Sequence, residues 1–370
     1  MPASGWAAPD NVRRLLITVH RWVGLIAGAY VVVISVTGAA LVFRIDLQRA
    51  AHPHLFTPTA AGPLADPVTI MESVSRAYPR HRLSGVDAPT TGRPTYLAYV
   101  TTAESFVTVL IDPVSARVLG ELPDRSLIRS LQDLHYDLFG GRIGRRINGA
   151  GAGAIVLMCV TGVSVWWPGR RAWWRAMIVD TSRRGQRLLW ELHRAIGIWT
   201  VVLILMWAAT GMYFAFPQAG RAIIGAISPL TVSGTPSSRA AARGDADLDW
   251  RTMIDKAKRI HPGGHVARVV LPFGDRGSFL VMFADDSPTP IRDTLDAVYL
   301  DRFTGEPLVE RSSARTMGDM IVRWIAPLHV GGFGGDAVRV LWFIGGLMPA
   351  VLFVTGFAVW WSRTPRGPAA

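Results

Sequence analysis

Cysteine is all but missing from this chain: among 370 residues only Cys159 is present, inside an apolar stretch. No disulfide can close within the chain, and no thiolate cluster can hold a metal. Lysine is scarce as well, so the net charge of +12 rests almost wholly on arginine. No basic and aromatic pattern typical of nucleic-acid binders accompanies that charge, which argues against a nucleic-acid partner. No glycine-rich nicotinamide or flavin fingerprint stands in the short segments between and beside the apolar runs. Charge is missing altogether from four runs, Trp22 to Phe43, Ile147 to Trp167, Ala195 to Phe216 and Val340 to Trp361. Each has the roughly 20 apolar residues that a helix needs to cross the hydrocarbon layer.

Those runs predict four transmembrane helices and an α-helical membrane protein. The expected divisions are 1–43 (leading segment and first span), 44–146 (first outer segment), 147–167 (second span), 168–194 (short loop), 195–216 (third span), 217–339 (second outer segment), 340–361 (fourth span) and 362–370 (tail). Arginines gather before the first span (Arg13, Arg14, Arg21), in the loop from Pro168 to Arg187, and in the tail (Arg363, Arg366). The positive-inside rule therefore puts both termini in the cytoplasm and both long segments outside. Arg142, Arg145 and Arg146 run against the rule, from which long translocated loops are largely exempt. The first span is too long for a cleaved signal peptide and has a counterpart in mid-chain.

Two patterns recur. His20-Arg21, Gly24 and Thr37-Gly38 match His193-Arg194, Gly197 and Thr210-Gly211. Leu134-His135, Phe139-Gly140-Gly141, Arg145, Thr161-Gly162 and Trp166-Trp167 match Leu328-His329, Phe333-Gly334-Gly335, Arg339, Thr355-Gly356 and Trp360-Trp361, with every offset from the histidine identical. Such self-similarity implies a tandem repeat, each half bringing two spans and two histidines.

The outer segments also share an order. Asp66-Pro67 opens a helical pattern to about Tyr78, and Asp249 caps one to about Ile260. Apolar alternation predicts strands within Thr95 to Ile111, and then at His265 to Phe273, Ser278 to Phe283 and Ala297 to Leu300. Ile111-Asp112-x-x-Ser115-Ala116 aligns with Leu300-Asp301-x-x-Thr304-Gly305. Ser228 to Asp247, rich in Ser, Gly, Pro and Ala, reads as a flexible linker.

From about His20 to Trp361, these paired His-Arg and Leu-His segments with Thr-Gly and Trp-Trp, enclosing helix-then-strand units, resemble the PepSY-associated transmembrane proteins of bacterial inner membranes. Within that family the chain is most similar to the iron-regulated siderophore reductases, including the ferrioxamine reductase type. The resemblance implies two tandem repeats with two α+β PepSY-like domains on the periplasmic side. It also implies a protein carrying two haem b groups that reduces ferric siderophores there.

Residue chemistry supports the same cofactor. Ionisable groups at membrane depth commonly mark a cofactor or transport path, and haem iron takes axial histidine. Spans one and three run outward, which pairs His20 with His193 at the cytoplasmic boundary; spans two and four run inward, which pairs His135 with His329 outside. A lone boundary histidine is usually an interfacial polar residue, but a fourfold recurrence in register argues otherwise. Gly24 and Gly197 share the face of their histidines, leaving room for a porphyrin. Gly38 lies on the His20 face about five turns on, roughly 27 Å away, and Gly211 repeats the relation to His193. Small residues equally serve close helix packing, and both readings of the Thr-Gly pairs stand. Arg145 and Arg339 either begin helices or pair with haem propionates. The tryptophans read as an aromatic belt. His52, His54, His81, His261 and His265 read as surface residues, with His52 and His54 as candidates for substrate contact. The competing functions are a quinol-linked cytochrome b and a non-catalytic regulatory or binding membrane protein. A metal-ion transporter fits poorly, because the mid-membrane stretches hold almost no polar side chains.

Overall fold

The computed structural model describes residues 9–102, 106–231, 236–242, 244–284, 296–311 and 316–362. In chain order the elements are α1 (Asp10–Leu41), α2 (Arg44–Ala51), α3 (Pro53–Phe56), α4 (Pro67–Ala77), β1 (Arg82–Asp87), β2 (Tyr96–Thr101), β3 (Phe106–Ile111), β4 (Val118–Glu121), α5 (Leu127–Asp137) and α6 (Gly141–Trp166). There follow α7 (Trp173–Ala176), α8 (Gln186–Ala215), α9 (Pro217–Ile227), α10 (Trp250–Ile260), β5 (His265–Val270), β6 (Phe279–Ala284), β7 (Asp296–Leu300), β8 (Pro307–Arg311), α11 (Met317–Val330) and α12 (Gly335–Trp361). They group into two compact units. One holds residues through Val42, Ser130–Arg221 and Ile325 onward; the other holds Phe43–Arg129 and Ala222–Trp324.

The first unit is a helical bundle. Four of its helices, α1, α6, α8 and α12, are long and apolar enough to cross a membrane. They pack as a ring in which α1 touches α6 and α12, and α8 touches the same two. Glycines notch the contacts so that a neighbour's ring can enter: Gly28 lies against Phe353, Gly151 against Tyr30, and Gly345 against Trp207. Close approach of this kind is what apolar helices use where the hydrophobic effect offers no drive. The helices outrun the apolar stretches, since α1 starts at Asp10 and α8 at Gln186. Leu15, Leu16 and Val19, like Leu188 and Leu189, keep an apolar helical spacing through the arginines, so His20 and His193 lie inside helices rather than at their mouths. His135 and His329 sit near the ends of the separate short helices α5 and α11. Arg363 and Arg366, used above for orientation, lie outside the described residues.

The second unit corrects the expectation of two separate α+β domains. All eight strands form one antiparallel sheet in the order β4-β3-β2-β1-β5-β6-β7-β8. The halves meet at β1 and β5, where Gly85 faces Val270, Val86 faces Val269, and Asp87 faces Arg268. Two lone sheets would each expose an unpaired edge here, and joining them satisfies both rows of backbone groups. Gly85 permits the approach, because a Cβ there would lie 2.7 Å from the Val269 carbonyl oxygen. One core runs under both halves, with Ile70, Met71 and Val74 of α4 and Met253, Ile254 and Ala257 of α10 packed on Val100, Val109, Val269, Val281 and Val298. Asp66 and Asp249 cap α4 and α10 as expected, accepting from Val68 and Thr252 N–H. Strands β1, β4 and β8 are additions to the elements foreseen. The expected flexible linker is a correction too, within its described part: Ser238 Oγ donates to the Gly277 carbonyl, Arg239 N–H to Asp301, and the Arg239 side chain to Asp245. Acidic side chains there satisfy the backbone that composition alone leaves loose. Its residues 232–235 and 243 lie outside the described set.

Candidate cofactor site

The four matched histidines come together in two pairs, both inside the helical unit. His20 of α1 and His193 of α8 have ring centres 6.4 Å apart at an interplanar angle of 80°. His135 of α5 and His329 of α11 have centres 6.3 Å apart at 52°. Two metal–imidazole bonds of about 2 Å, plus about 1 Å from each bonded nitrogen to its ring centre, put two axial rings roughly 6 Å apart. A direct N–H···N hydrogen bond of about 3 Å would instead bring the centres to about 5 Å. The spacing of both pairs therefore fits one metal between two imidazoles.

The donor set narrows the metal. Among the described residues no group of three or more His, Cys, Asp or Glu gathers, so each pair supplies two protein ligands and no more. Zinc sites take three or four protein donors. A metal held by two imidazoles must bring its remaining ligands with it, as haem iron does. The residues present fit haem in both places.

Each histidine is tied by the same contact. Nδ1 of His20 lies 3.0 Å from Thr161 Oγ1 of α6, and Nδ1 of His193 lies 3.0 Å from Thr355 Oγ1 of α12. Nδ1 of His135 lies 3.1 Å from Thr37 Oγ1 of α1, and Nδ1 of His329 lies 2.7 Å from Thr210 Oγ1 of α8. The threonines are buried. At three of the four the glycine after the threonine gives the ring its room, since a Cβ would stand 2.7 Å from His135 Cε1 at Gly38, 3.0 Å from His193 at Gly356 and 3.2 Å from His20 at Gly162; at Gly211 it would stand at an ordinary 3.8 Å from His329. The Thr-Gly pairs thus serve the histidines directly, a role that spacing along one helix could not reveal because each pair acts on a histidine of another helix. The shared offsets were the signal available.

The other candidates fall as follows. A Cβ on Gly24 would meet Met158 Cε at 3.1 Å, and one on Gly197 would meet Leu352 Cδ2 at 3.7 Å; these faces turn toward the neighbouring helices α6 and α12. Arg145 is exposed, whereas Arg339 donates to Asp336 at 2.9 Å and reaches the Val42 carbonyl at 3.5 Å. Among the remaining histidines, His261 sits 3.7 Å from Asp296 and against the Phe283 ring, and the His52 and His54 rings are 6.4 Å apart. Side chains not foreseen hold the ends of the short histidine helices. Asn148 Nδ2 donates to the His135 carbonyl at 2.7 Å while its Oδ1 accepts from Tyr30. On the opposite side Trp207 Nε1 donates to the His329 carbonyl and Trp342 Nε1 to that of Leu328. The two members of this pair thus sit in unlike surroundings, one amide and phenol, the other indole with Phe214 edge-on to His329 at 5.2 Å.

The family pattern described as the PepSY-associated TM region matches residues 17–363. An uncharacterized protein of Pseudomonas aeruginosa is 28% identical over 261 residues, a stretch covering 65% of this chain and 64% of that relative. The match thus spans a little under two thirds of the relative's length.

Proposed function

The chain belongs to the PepSY-associated transmembrane family, and from that premise and its two histidine pairs we propose a di-haem b electron-transfer protein of the bacterial inner membrane. Its activity would be that of a ferric-siderophore reductase, carrying electrons from the cytoplasmic side to ferric siderophores in the periplasm. The observation that carries the reading is the pair of two-imidazole donor sets, each with ring centres just over 6 Å apart. Haem, when bound, supplies one-electron transfer.

The rest is the work of the chain's own residues. Thr37 lies beside His135 while His20 sits on the same helix seventeen residues earlier, so the pairs are about 25 Å apart along the bundle at 1.5 Å per residue. That separation would give the protein one holding place toward each side of the membrane. Arginines of the loop from Pro168 to Arg187 favour the cytoplasm for the His20–His193 end and for both termini. The joined sheet would then meet the substrate outside, and reduction releases iron because hard oxygen donors hold ferric iron better than ferrous. The donor is external, either a cytoplasmic reductase or a quinol.

The test is to reduce the purified protein without oxygen, add ferric siderophores, and follow haem reoxidation together with ferrous iron captured by a chelator. Reoxidation with iron release supports the reductase. Reoxidation by quinone alone transfers the reading to a quinol-linked cytochrome b, and a colourless preparation transfers it to a regulatory or binding protein.

A further inference from the structure

Each threonine at the histidine pairs makes a second contact. Thr37 Oγ1 donates to the Val33 carbonyl at 2.7 Å, Thr161 Oγ1 to Leu157 at 2.8 Å, Thr210 Oγ1 to Met206 at 2.7 Å, and Thr355 Oγ1 to Val351 at 2.9 Å. These are bonds to the carbonyl one turn back, a common use of a hydroxyl inside an apolar helix. A hydroxyl has a single proton. Once that proton is given to the carbonyl, the oxygen can serve the imidazole only as an acceptor. Nδ1 must then carry the ring proton, and Nε2 is left with its lone pair.

The opposite assignment is unfavourable in both pairs at once. If the threonines donated to Nδ1, both rings of a pair would carry N–H at Nε2, and in all four helices the carbonyl one turn back would lose the hydroxyl proton that now lies 2.7–2.9 Å from it, heavy atom to heavy atom. Because both rings of each pair have the same threonine contact, they receive the same tautomer. The glycine that follows bears on the other degree of freedom at Gly38, Gly162 and Gly356, where its missing Cβ lets the Cε1 corner of the ring approach the neighbouring helix.

We propose that Thr37, Thr161, Thr210 and Thr355 are positioning residues that set the tautomer and ring plane of the four histidines, holding every Nε2 as a ready ligand. The purpose rests on the haem reading above; the hydrogen-bond geometry does not. Such an acceptor also makes the imidazole a stronger donor to iron, which favours the ferric form.

The experiment uses full-length protein with Thr161→Val and Thr161→Ser for one pair and Thr210→Val and Thr210→Ser for the other. Valine keeps the shape and loses the acceptor, while serine keeps the hydroxyl. Haem content and midpoint potential are read by redox titration of the absorption spectrum. The expected result is haem retention weakened roughly 10- to 100-fold, or a raised potential, at the affected pair in the valine variants, with serine close to the parent. Valine behaving like the parent, or serine failing as badly as valine, overturns the proposal. Should the valine variants not fold, nitrogen NMR of the parent labelled at histidine decides: protonated Nδ1 with unprotonated Nε2 supports it, and protonated Nε2 overturns it. That measurement needs no haem, so a parent without haem would sink the functional reading while the tautomer is still decided.

Discussion

Ser35 of α1 donates a hydrogen bond of 2.5 Å to the carbonyl of Gly346 on α12. The same hydroxyl accepts from Ala350 N–H at 3.3 Å, so it contacts the donor and the acceptor of one i→i−4 step of α12. Pro349 lies inside the same turn, where proline lacks an N–H and crowds the preceding turn. At the matched positions, on the equivalent helix pair α8 and α6, stand Ala208 and Ile155, so that pair has neither the serine nor the proline. Ser35→Ala is expected to cost about 1 kcal/mol, in the range of interhelical hydrogen bonds in membranes. The loss should shrink in a Pro349→Ala background, and equal losses in unfolding from mixed micelles would contradict the coupling.

The pairing makes a spectral prediction. His20→Ala and His193→Ala should delete the same haem component, and His135→Ala and His329→Ala the other one. Pyridine haemochrome content should fall by about half in each single variant, since haem iron is held through its axial ligands. Loss of both components from every variant would leave the pairs without support.

The glycines beside the rings are not equivalent. Gly38→Ala would thrust a methyl to 2.7 Å from His135, whereas Gly211→Ala would place one at an ordinary 3.8 Å from His329. The first should displace the ring and strip haem from that pair; the second should leave it in place. Haem stoichiometry of the two variants is the measurement, and a harmless Gly38→Ala would count against the ring position.

The sheet unit carries a pH dependence. Asp112 accepts from Thr59 N–H at 2.5 Å, Thr59 Oγ1 at 2.8 Å, Val114 N–H at 3.0 Å and Ser115 N–H at 2.9 Å. Burial opposes the charge, but the N–H groups of Ser115 and Thr59 outweigh it and hold the carboxyl below the ordinary range. A carboxyl whose folded pKa is depressed adds stability above its unfolded value of about 3.9 and loses it as the pH falls further. Melting of the sheet unit should therefore be flat above about pH 4 from this group and decline below. Asp112→Asn should be less stable at neutral pH and should show a shallower decline.

Legibility in the sequence followed the range of the interaction. The histidines were found because their offsets repeat along the chain, and the caps at Asp66 and Asp249 because a cap acts within one turn. Strand β1 escaped because its register shifts between Leu83 and Gly85 and its last residue, Asp87, is a buried acid. That acid is satisfied by the Tyr99 hydroxyl on β2 and by Arg268, which pairs with it from the other half of the sheet. The joined sheet and the threonine contacts are both meetings between distant segments, and no local periodicity encodes them.

In the ring of helices, α1 and α8 stand on one diagonal and α6 and α12 on the other, while the extended packing runs along the sides. His20 and His193 belong to the first diagonal, and His135 and His329 come from the helices that lead into the second. Under the haem proposal, a group held between each pair would act as a tie-rod, one at each end, bracing the bundle in a direction its own contacts leave slack. Ligand binding of this kind adds to folding stability as the logarithm of the ligand concentration relative to its dissociation constant, so the proposed cofactor would set the rigidity of the scaffold that carries it.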